Sequence, residues 1–112
     1  MDYKDEIWKP VKFEDVEFHK KYELSSYGRV RRLDPEKDEW QIIKLPKVKG
    51  YPVYTFWGRN NRKTILIHRL MASMFLEKEH DLQKYVIHLD FQKDNNHVDN
   101  LKWVTRETMV AH

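Results

Sequence analysis

The stretch VIHLDFQKDNNHVDNLKWVT, residues 86–105, places His88 in an apolar segment and Asn100 twelve residues later, just before a second apolar segment. An imidazole titrates close to neutral pH, so His88 could take a proton from water as a general base. The Asn100 side chain could form hydrogen bonds across the intervening polar turn. Hydrolysis of a phosphodiester needs such a base, together with a divalent cation that neutralises charge on the phosphate. The residue types point to this chemistry, or to a scaffold derived from it.

A β-hairpin followed by a helix is the structure that this part of the chain predicts. Residues 85–89 and 101–104 have the composition of strands, and residues 90–99 form a long polar turn between them. Thr105 stands where it could cap a short final helix. In such a unit the first strand carries the histidine, the turn is held by the asparagine, and the helix could supply a ligand for the metal.

The turn and the preceding segment contain further polar residues with structural roles. Asn95 and Asn96 are expected to shape the turn, because asparagine tolerates left-handed backbone. His68 stands beside an apolar stripe that predicts a helix from about residue 68 to about residue 76. We expect His68 to be a structural hydrogen-bonding residue and not a ligand. The stripe is made of Ile67, Leu70, Met71, Met74 and Phe75.

The first half of the chain predicts short antiparallel strands separated by turns. The predicted strands are residues 7–11, with Pro10 at a sheet edge, 22–33 as a hairpin around Ser-Ser-Tyr-Gly, 40–45, 51–57 and 64–67. The whole chain is therefore expected to have an α+β fold, with small antiparallel sheets, one central helix and a C-terminal ββα hairpin-helix. Leu101, Trp103 and Val86 are expected in its core.

The composition limits the class of protein and its environment. The chain has 112 residues, of which 35% are charged, and its formal net charge is +3. It has no cysteine, which excludes disulfides and thiolate zinc sites and favours a reducing compartment. No apolar run approaches the roughly 20 residues of a membrane span, and the acidic N-terminus lacks an apolar signal core. We expect a cytoplasmic protein that has no membrane partner.

Several motifs together carry a resemblance to a known family. They are IHRLMASMF at 67–75, YELSSYGRVRRL at 22–33 with Trp8 before it, and the residues His88, Asp90, Asn95, Asn96, Asn100, Leu101, Trp103 and Thr105. The chain resembles the HNH homing endonucleases of phages over nearly its whole length. The resemblance implies a nuclease-associated β module at residues 6–46 and an HNH-like ββα module with its preceding helix at residues 47–112. It also implies that His88 is the general base and Asn100 a structural asparagine of the turn.

The two positions that bind metal in this family lack oxygen donors here. In the family an Asp or Asn precedes the histidine, and an asparagine of the final helix stands nine residues after the position of Asn100. Ile87 and Met109 occupy these two positions. A thioether is a poor ligand for Mg²⁺, which prefers hard oxygen atoms. No metal or other cofactor is therefore expected unless the chain is active, in which case Mg²⁺ or another divalent cation is implied.

Other departures concern the turn. The glycine that follows Asp90 in the family is replaced by Phe91, so the turn is expected to differ. If a metal were bound in an unorthodox way, Asp90, Asn96 or His97 could be recruited to it. These residues are the weak candidates for a metal site.

Basic residues on the predicted turns and strand edges are the candidates for contact with phosphates. They are Arg29, Arg31, Arg32, Arg59, Arg62 and Lys63. The aromatic residues Tyr27, Tyr51, Tyr54 and Trp57 stand near them, and cations beside aromatic surface suit a nucleic-acid groove. The charge alone would describe a solvated face, and the family resemblance favours a nucleic acid, in particular DNA, as the partner.

Three functions fit these observations. The favoured one is an HNH-endonuclease-like protein that binds nucleic acid and has lost most or all metal-dependent cleavage. The second is an active nicking endonuclease with His88 as its base. The third is an adaptor that reuses the fold to bind a protein partner, and a homodimer is also left open.

Overall fold

The computed structural model describes residues 2–112, which form nine short strands, two α-helices and a 3₁₀ turn. In chain order the elements are β1 (Trp8–Pro10), β2 (Tyr22–Ser25), β3 (Val30–Asp34), β4 (Glu39–Ile42), β5 (Lys47–Val48), β6 (Tyr51–Trp57), β7 (Arg62–Leu66), α1 (Ile67–Phe75), β8 (Tyr85–His88), the 3₁₀ turn (Val98–Asn100), β9 (Leu101–Val104) and α2 (Arg106–Ala111). The predicted α+β class is confirmed, with α1 between the β-rich half and the C-terminal hairpin.

The first four strands form an antiparallel sheet in the order β1-β2-β3-β4. Leu24 of β2 pairs with Val30 of β3, and both side chains are fully buried. Pro10 lies in β1, at the edge of the sheet, where its missing N–H costs no ladder hydrogen bond. The predicted edge strand and the predicted hairpin are confirmed.

The turn between β2 and β3 is held by the side chain of Ser25. Its hydroxyl accepts hydrogen bonds from the backbone N–H groups of Tyr27 at 3.1 Å and Arg29 at 3.2 Å. Gly28 has φ +79, a left-handed conformation that glycine adopts without a steric penalty. The turn is therefore compact. Because Gly28 has no side chain, another part of the chain can approach its backbone closely.

Strands β5, β6 and β7 form a second antiparallel sheet, and α1 follows β7 without a connecting loop. The strand predicted at 64–67 spans residues 62–66, because Ile67 already belongs to the helix, where it is fully buried with Leu70 and Met71. Leu66 gives the helix no side-chain N-cap. The longer helix, α1, has nine residues, and no helix within residues 2–112 is long and apolar enough to cross a membrane.

The C-terminal part is a two-stranded hairpin, β8 and β9, followed by α2. Val86 pairs with Trp103, and His88 pairs with Leu101. Thr105 caps α2 as predicted, since its hydroxyl accepts a hydrogen bond from the N–H of Thr108 at 3.4 Å. The predicted ββα arrangement is confirmed.

One apolar core joins these parts. Its buried members are Val11, Tyr22, Leu24, Val30, Phe56, Ile67, Leu70, Met71 and Leu101, which come from the first sheet, the second sheet, α1 and β9. Phe56 lies at its centre and has edge-to-face contacts with Tyr22 and Tyr54. Leu101 and Trp103 are buried as predicted, whereas Val86 is only partly buried. The shared core fixes the N-terminal sheet against the hairpin that carries His88.

Candidate functional site

The long turn between β8 and β9 is held by Asn100. Its side-chain oxygen accepts a hydrogen bond from the N–H of Asp90 at 3.0 Å, and its amide nitrogen donates to Asp90 Oδ1 at 2.9 Å and to the carbonyl of Asn95 at 2.8 Å. Both ends of the turn are thereby joined through one side chain. The predicted hydrogen bonding of Asn100 across the turn is present.

His88 is buried at the end of β8 and is oriented by Asn96. The His88 Nε2 atom lies 2.7 Å from Asn96 Oδ1, and both residues are nearly inaccessible to solvent. An amide oxygen only accepts hydrogen bonds, so in a neutral His88 ring this contact favours the tautomer with the proton on Nε2 and the lone pair on Nδ1. This is the tautomer that a general base acting through Nδ1 requires.

His88 lies beside an open pocket of about 500 Å³. The pocket is lined by Tyr51, Leu66, His68, Arg69, Tyr85, Val86, Ile87, His88, Phe91, Lys93, Met109 and His112. The rings of His68 and Tyr51 pack beside His88, with centroid distances of 4.9 Å and 6.0 Å. Residues from five elements (β6, β7, α1, β8 and α2), together with the long turn and His112, therefore surround the candidate base.

His68 is buried in the wall of this pocket. Burial, together with the nearby His88 and Arg69, lowers its pKa from 6.5 to about 4. Its Nδ1 atom has no hydrogen-bond partner among the described residues, which was not expected for a structural hydrogen-bonding histidine. His68 is therefore neutral at physiological pH, with one buried ring nitrogen unused.

His112, which follows α2 directly, also lines the pocket. The His112 Nε2 atom lies 2.9 Å from the backbone carbonyl of His88, and its ring stacks on Phe91 with a centroid distance of 4.1 Å. Phe91 has φ 64, the left-handed conformation in which glycine is favoured. Stacking on His112 fixes the exposed Phe91 ring in this conformation.

The left-handed position in the turn is Phe91, and this corrects one expectation. Neither Asn95 nor Asn96 has a positive φ. Asn95 acts through its side chain, whose amide donates to Asp90 Oδ2 at 2.7 Å. Asn96 acts through the bond to His88. Both asparagines shape the turn, but they do so by side-chain hydrogen bonds and not by tolerating left-handed backbone.

The weak metal candidates Asp90 and His97 lie outside the lining of the pocket. The carboxylate of Asp90 accepts hydrogen bonds from Asn95, the N–H of Gln92 and Asn100, and these bonds hold its pKa below the usual range. His97 Nδ1 accepts from the N–H of Asp99 at 3.1 Å. The carboxylate oxygens of Asp90 and the Nδ1 atom of His97 could bind a metal, but they already accept the hydrogen bonds that hold the turn.

Two of the basic residues that were expected to contact phosphates are paired with carboxylates. Arg29 donates from Nε to Glu6 Oε2 at 2.8 Å and forms a second bond from Nη2 to the same carboxylate. Arg31 donates to Glu23, and its guanidinium lies 4.0 Å from the ring centroid of Trp8. These two arginines hold the first sheet together.

The other expected phosphate contacts lie nearer to solvent. Arg32 lines a polar cleft beside Lys20. Arg59 forms an exposed ion pair with Glu17 at 3.1 Å. Arg62 and Lys63 begin β7, where Arg62 lies over the exposed ring of Trp57 at 5.1 Å. The three residues Arg59, Arg62 and Lys63 share the tip of the hairpin that joins β6 to β7.

The N-terminal turn supports the residue that orients His88. A Cβ added to Gly28 would lie 2.6 Å from the Cβ of Asn96, and the N–H of Val98 donates to the carbonyl of Ser26 at 2.9 Å. The ring of Tyr27 packs edge-on against His97 at 4.4 Å. The first sheet therefore braces the long turn at the point where Asn96 holds the imidazole.

Comparisons with known proteins agree with this geometry. The NUMOD4 motif matches residues 6–57. An uncharacterized HNH endonuclease, L247, of Acanthamoeba polyphaga mimivirus is 33% identical over 100% of this chain and 27% of its own length. A second one, L245, from the same virus is 37% identical over 81% of this chain and 26% of its own length. DNA endonuclease I-HmuI of Bacillus phage SP01 is 33% identical over 94% of this chain and 56% of its own length.

The solved structure of the HNH homing endonuclease I-HmuI, described for DNA binding and cleavage, has a similar fold. It superposes with a TM-score of 0.68 at 32% identity and covers 94% of this chain and 56% of that chain. The chain belongs to the HNH homing endonuclease family. This HNH chain spans between about a quarter and a little over half of the length of the relatives described above.

HNH endonucleases generally use a divalent metal when they are active, and the residues of this HNH chain do not fit a site for Mg²⁺. Ile87 is buried and apolar, and the thioether of Met109 lines the pocket. No carboxylate or carboxamide is found in the lining within residues 2–112. The carboxylate and carboxamide oxygens that Mg²⁺ prefers as ligands are therefore missing from the side chains that line this pocket.

Several residues of this HNH site were not identified from the sequence. They are Arg69, Lys93, His112 and, as a support, Gly28. Tyr51 was expected only as an aromatic residue of the nucleic-acid groove. His112 could have been found, because it stands three residues after Met109 at the end of the predicted final helix, and this spacing places two side chains on one face. The others come from distant parts of the chain, and no local spacing indicates them.

Proposed function

We propose that this chain is an HNH-endonuclease-like protein that binds nucleic acid, in particular DNA, and whose Mg²⁺-dependent cleavage is lost or weak. The observation that carries the proposal is the lining of the pocket. It keeps the oriented imidazole of His88 and two cationic side chains, Arg69 and Lys93, but has no hard oxygen ligand from a carboxylate or carboxamide. Such a pocket favours a phosphate and lacks the means to hold Mg²⁺.

The charges around the pocket support a polyanionic partner. Lys93 is exposed, and its ammonium group donates to the carbonyl of Lys49 at 3.2 Å and lies 4.9 Å from the ring centroid of Tyr51. Arg69 is exposed and donates to the carbonyl of Lys84 at 3.5 Å. Each cation would exchange its bonds to one backbone carbonyl for a charge-assisted bond to a phosphate.

The hairpin tip supplies a second region of contact in this proposal. Arg59, Arg62 and Lys63 would bind phosphates there, and Trp57 offers an exposed aromatic face on which a base could stack. Arg32 would contribute from its cleft beside Lys20. Arg29 and Arg31 have carboxylate partners, so their contribution to phosphate binding would be small.

Salt dependence of binding tests this proposal. For wild type, the logarithm of the association constant for a DNA duplex should fall linearly with the logarithm of salt concentration. Changing Arg62→Ala and Lys63→Ala together should reduce the magnitude of that slope by about 2, because two phosphate contacts are removed. Lys37→Ala, an exposed lysine in the β3–β4 turn, is the matched control. A slope that is the same in all three proteins would contradict the proposed contacts.

The second candidate function is an active nicking endonuclease, and one observation favours it. The bond from His88 to Asn96 Oδ1 leaves Nδ1 of His88 with a lone pair beside the pocket, as a general base requires. Plasmid relaxation in Mg²⁺ or Mn²⁺ separates the two candidates. Our proposal expects little or no nicking by wild type, whereas robust nicking that disappears in His88→Ala would establish the active enzyme.

A further inference from the structure

Phe91 combines two features that are rarely found in one residue. Its side chain is 66% exposed to solvent, and its backbone has φ 64, a left-handed conformation that costs energy for any L side chain. Asp38 and Lys49 also have a positive φ, but within residues 2–112 Phe91 is the one apolar side chain among such non-glycine positions. A strained residue whose ring gains little from burial indicates a role other than stabilising the fold.

The position of Phe91 is fixed directly beside the candidate base. Its N–H donates to the carbonyl of His88 at 3.1 Å, and its side chain lines the pocket beside which His88 lies. The cationic side chains of Arg69 and Lys93 line the same pocket. A nucleic-acid strand whose phosphate reaches these cations would therefore carry its nearest bases past the ring of Phe91.

The ring of Phe91 already forms one layer of a stack. One face lies on the ring of His112, with a centroid distance of 4.1 Å and an interplanar angle of 6°. His112 is held in place by the contact of its Nε2 atom with the carbonyl of His88 at 2.9 Å. Because Phe91 is largely exposed, its other face is open to solvent. A planar group that stacked there would add a third layer to a preformed platform.

We propose that Phe91 is a stacking platform for one base of the bound strand, and that the protein therefore prefers DNA in which a base beside the contacted phosphate is unpaired. The inference rests on the proposed function. A base of an intact duplex must leave its neighbours before it can stack on the protein, and this cost is smallest for a mismatched or unpaired base. Phe91 replaces the stacking that the base loses.

This contact is particular to the present chain. The position of Phe91 is a glycine in the motif of the HNH homing endonucleases, and a glycine has no ring on which a base could stack. Phenylalanine therefore adds both the strain at φ 64 and the open aromatic face at one position. The base contact would compensate for the strain only when DNA is bound.

Equilibrium binding to two DNA duplexes tests the proposal, one fully paired and the other identical except for one mismatched base pair. Wild type should bind the mismatched duplex about 10-fold more tightly, which is the scale of one base–aromatic stacking contact. Phe91→Leu keeps an apolar side chain without a ring and should lose the preference, whereas Phe91→Trp should retain it. Val110→Ala is the matched control, because Val110 is 72% exposed and lies outside the lining of the pocket.

Phe91→Gly separates a role in binding from a role in folding. Glycine adopts φ 64 without a steric penalty, so the urea midpoint of this variant should equal or exceed that of wild type. The same variant should lose the preference for the mismatched duplex, as Phe91→Leu does. A urea midpoint clearly below that of wild type would mean that the ring serves the fold, and it would overturn the proposal.

Failure of this proposal is distinguishable from failure of the proposed function. If wild type bound both duplexes in a salt-dependent way, and Phe91→Leu had the same ratio of affinities, the role of Phe91 would be wrong and the proposed function would stand. If wild type bound neither duplex at low salt, the proposed function would be wrong, and the stacking role of Phe91 with it.

Discussion

Gly28 of the N-terminal turn lies against Asn96, the residue that orients His88. A Cβ at position 28 would be 2.6 Å from the Cβ of Asn96 and 3.1 Å from its backbone oxygen. Asn96 Oδ1 in turn lies 2.7 Å from His88 Nε2 and accepts a hydrogen bond from it. The conformation of the β2–β3 turn at Gly28 therefore helps to position Asn96, and through it the ring of His88.

Gly28→Ala should destabilise the protein and disturb His88. Alanine at φ +79 costs about 1–2 kcal/mol, and displacement of Asn96 adds to it, for a total of about 2–4 kcal/mol. Urea denaturation measures the free energy of unfolding. The NMR resonance of the His88 Nε2–H proton reports whether the hydrogen bond to Asn96 persists.

Gly50→Ala is the matched control for this change. Gly50 has φ +87, but a Cβ there would first meet Lys93 Cδ at 3.2 Å, which belongs to a flexible side chain. It should cost only about 1–2 kcal/mol and leave the His88 resonance in place. If both substitutions had equal effects on the free energy of unfolding and on the His88 resonance, the contact between Gly28 and Asn96 would not contribute to either.

Asn100→Ala should destabilise the hairpin by about 2 kcal/mol, because three hydrogen bonds in the turn are lost. Asn100→Asp should cost at least as much at neutral pH, since it places a second carboxylate beside Asp90 Oδ1. Urea denaturation at pH 7 compares the variants with wild type. If Asn100→Ala lowered the free energy of unfolding by less than about 0.5 kcal/mol, the proposed structural role of this side chain would be wrong.

Glu6 should make stability depend on pH in the acid range. Burial raises the pKa of its carboxyl, but hydrogen bonds from Arg29, Ser25 and the N–H of Tyr3 lower it from 4.5 to about 2. Because the folded carboxyl binds a proton less readily than the unfolded one, its contribution is complete above pH 4.5 and is lost as the pH falls toward 2.

Glu6→Gln tests this contribution. It should reduce stability at pH 7 by about 1–2 kcal/mol, because the enclosed carboxylate of Glu6 loses its charged hydrogen bonds with the partly exposed Arg29. The difference from wild type should shrink as the pH is lowered from 4.5 to 2 in a series of thermal or urea unfolding curves. A difference that stays constant across that range would exclude Glu6 as the titrating group.

Trp103→Phe should weaken the attachment of the hairpin to α1. The indole N–H of Trp103 donates to the carbonyl of Ala72 at 3.1 Å and to that of Leu76 at 3.3 Å, and so satisfies the C-terminal end of the helix. Phenylalanine keeps the apolar packing but lacks the donor, so the expected loss is about 1–2 kcal/mol. Trp57→Phe, at an exposed ring, should change stability by less than about 0.5 kcal/mol.

Much of the fold follows from local patterns in the sequence. Alternation around Ser-Ser-Tyr-Gly indicated the first hairpin, and the spacing from Ile67 to Phe75 indicated α1, because each pattern reports which face of its own element is buried. Thr105 marked the start of α2. The hydrogen bonding of Asn100 was also predicted, since its partners lie within ten residues of it.

The environment of His88 was decided only by the tertiary structure. The sequence by itself determined that an imidazole follows an isoleucine and that a methionine stands in the last helix. The bond to Asn96, the brace by Gly28, and the gathering of His68 and His112 depend on packing between elements that are distant in the chain. Local periodicity carries no information about such contacts, because they arise when the shared core brings separate faces together.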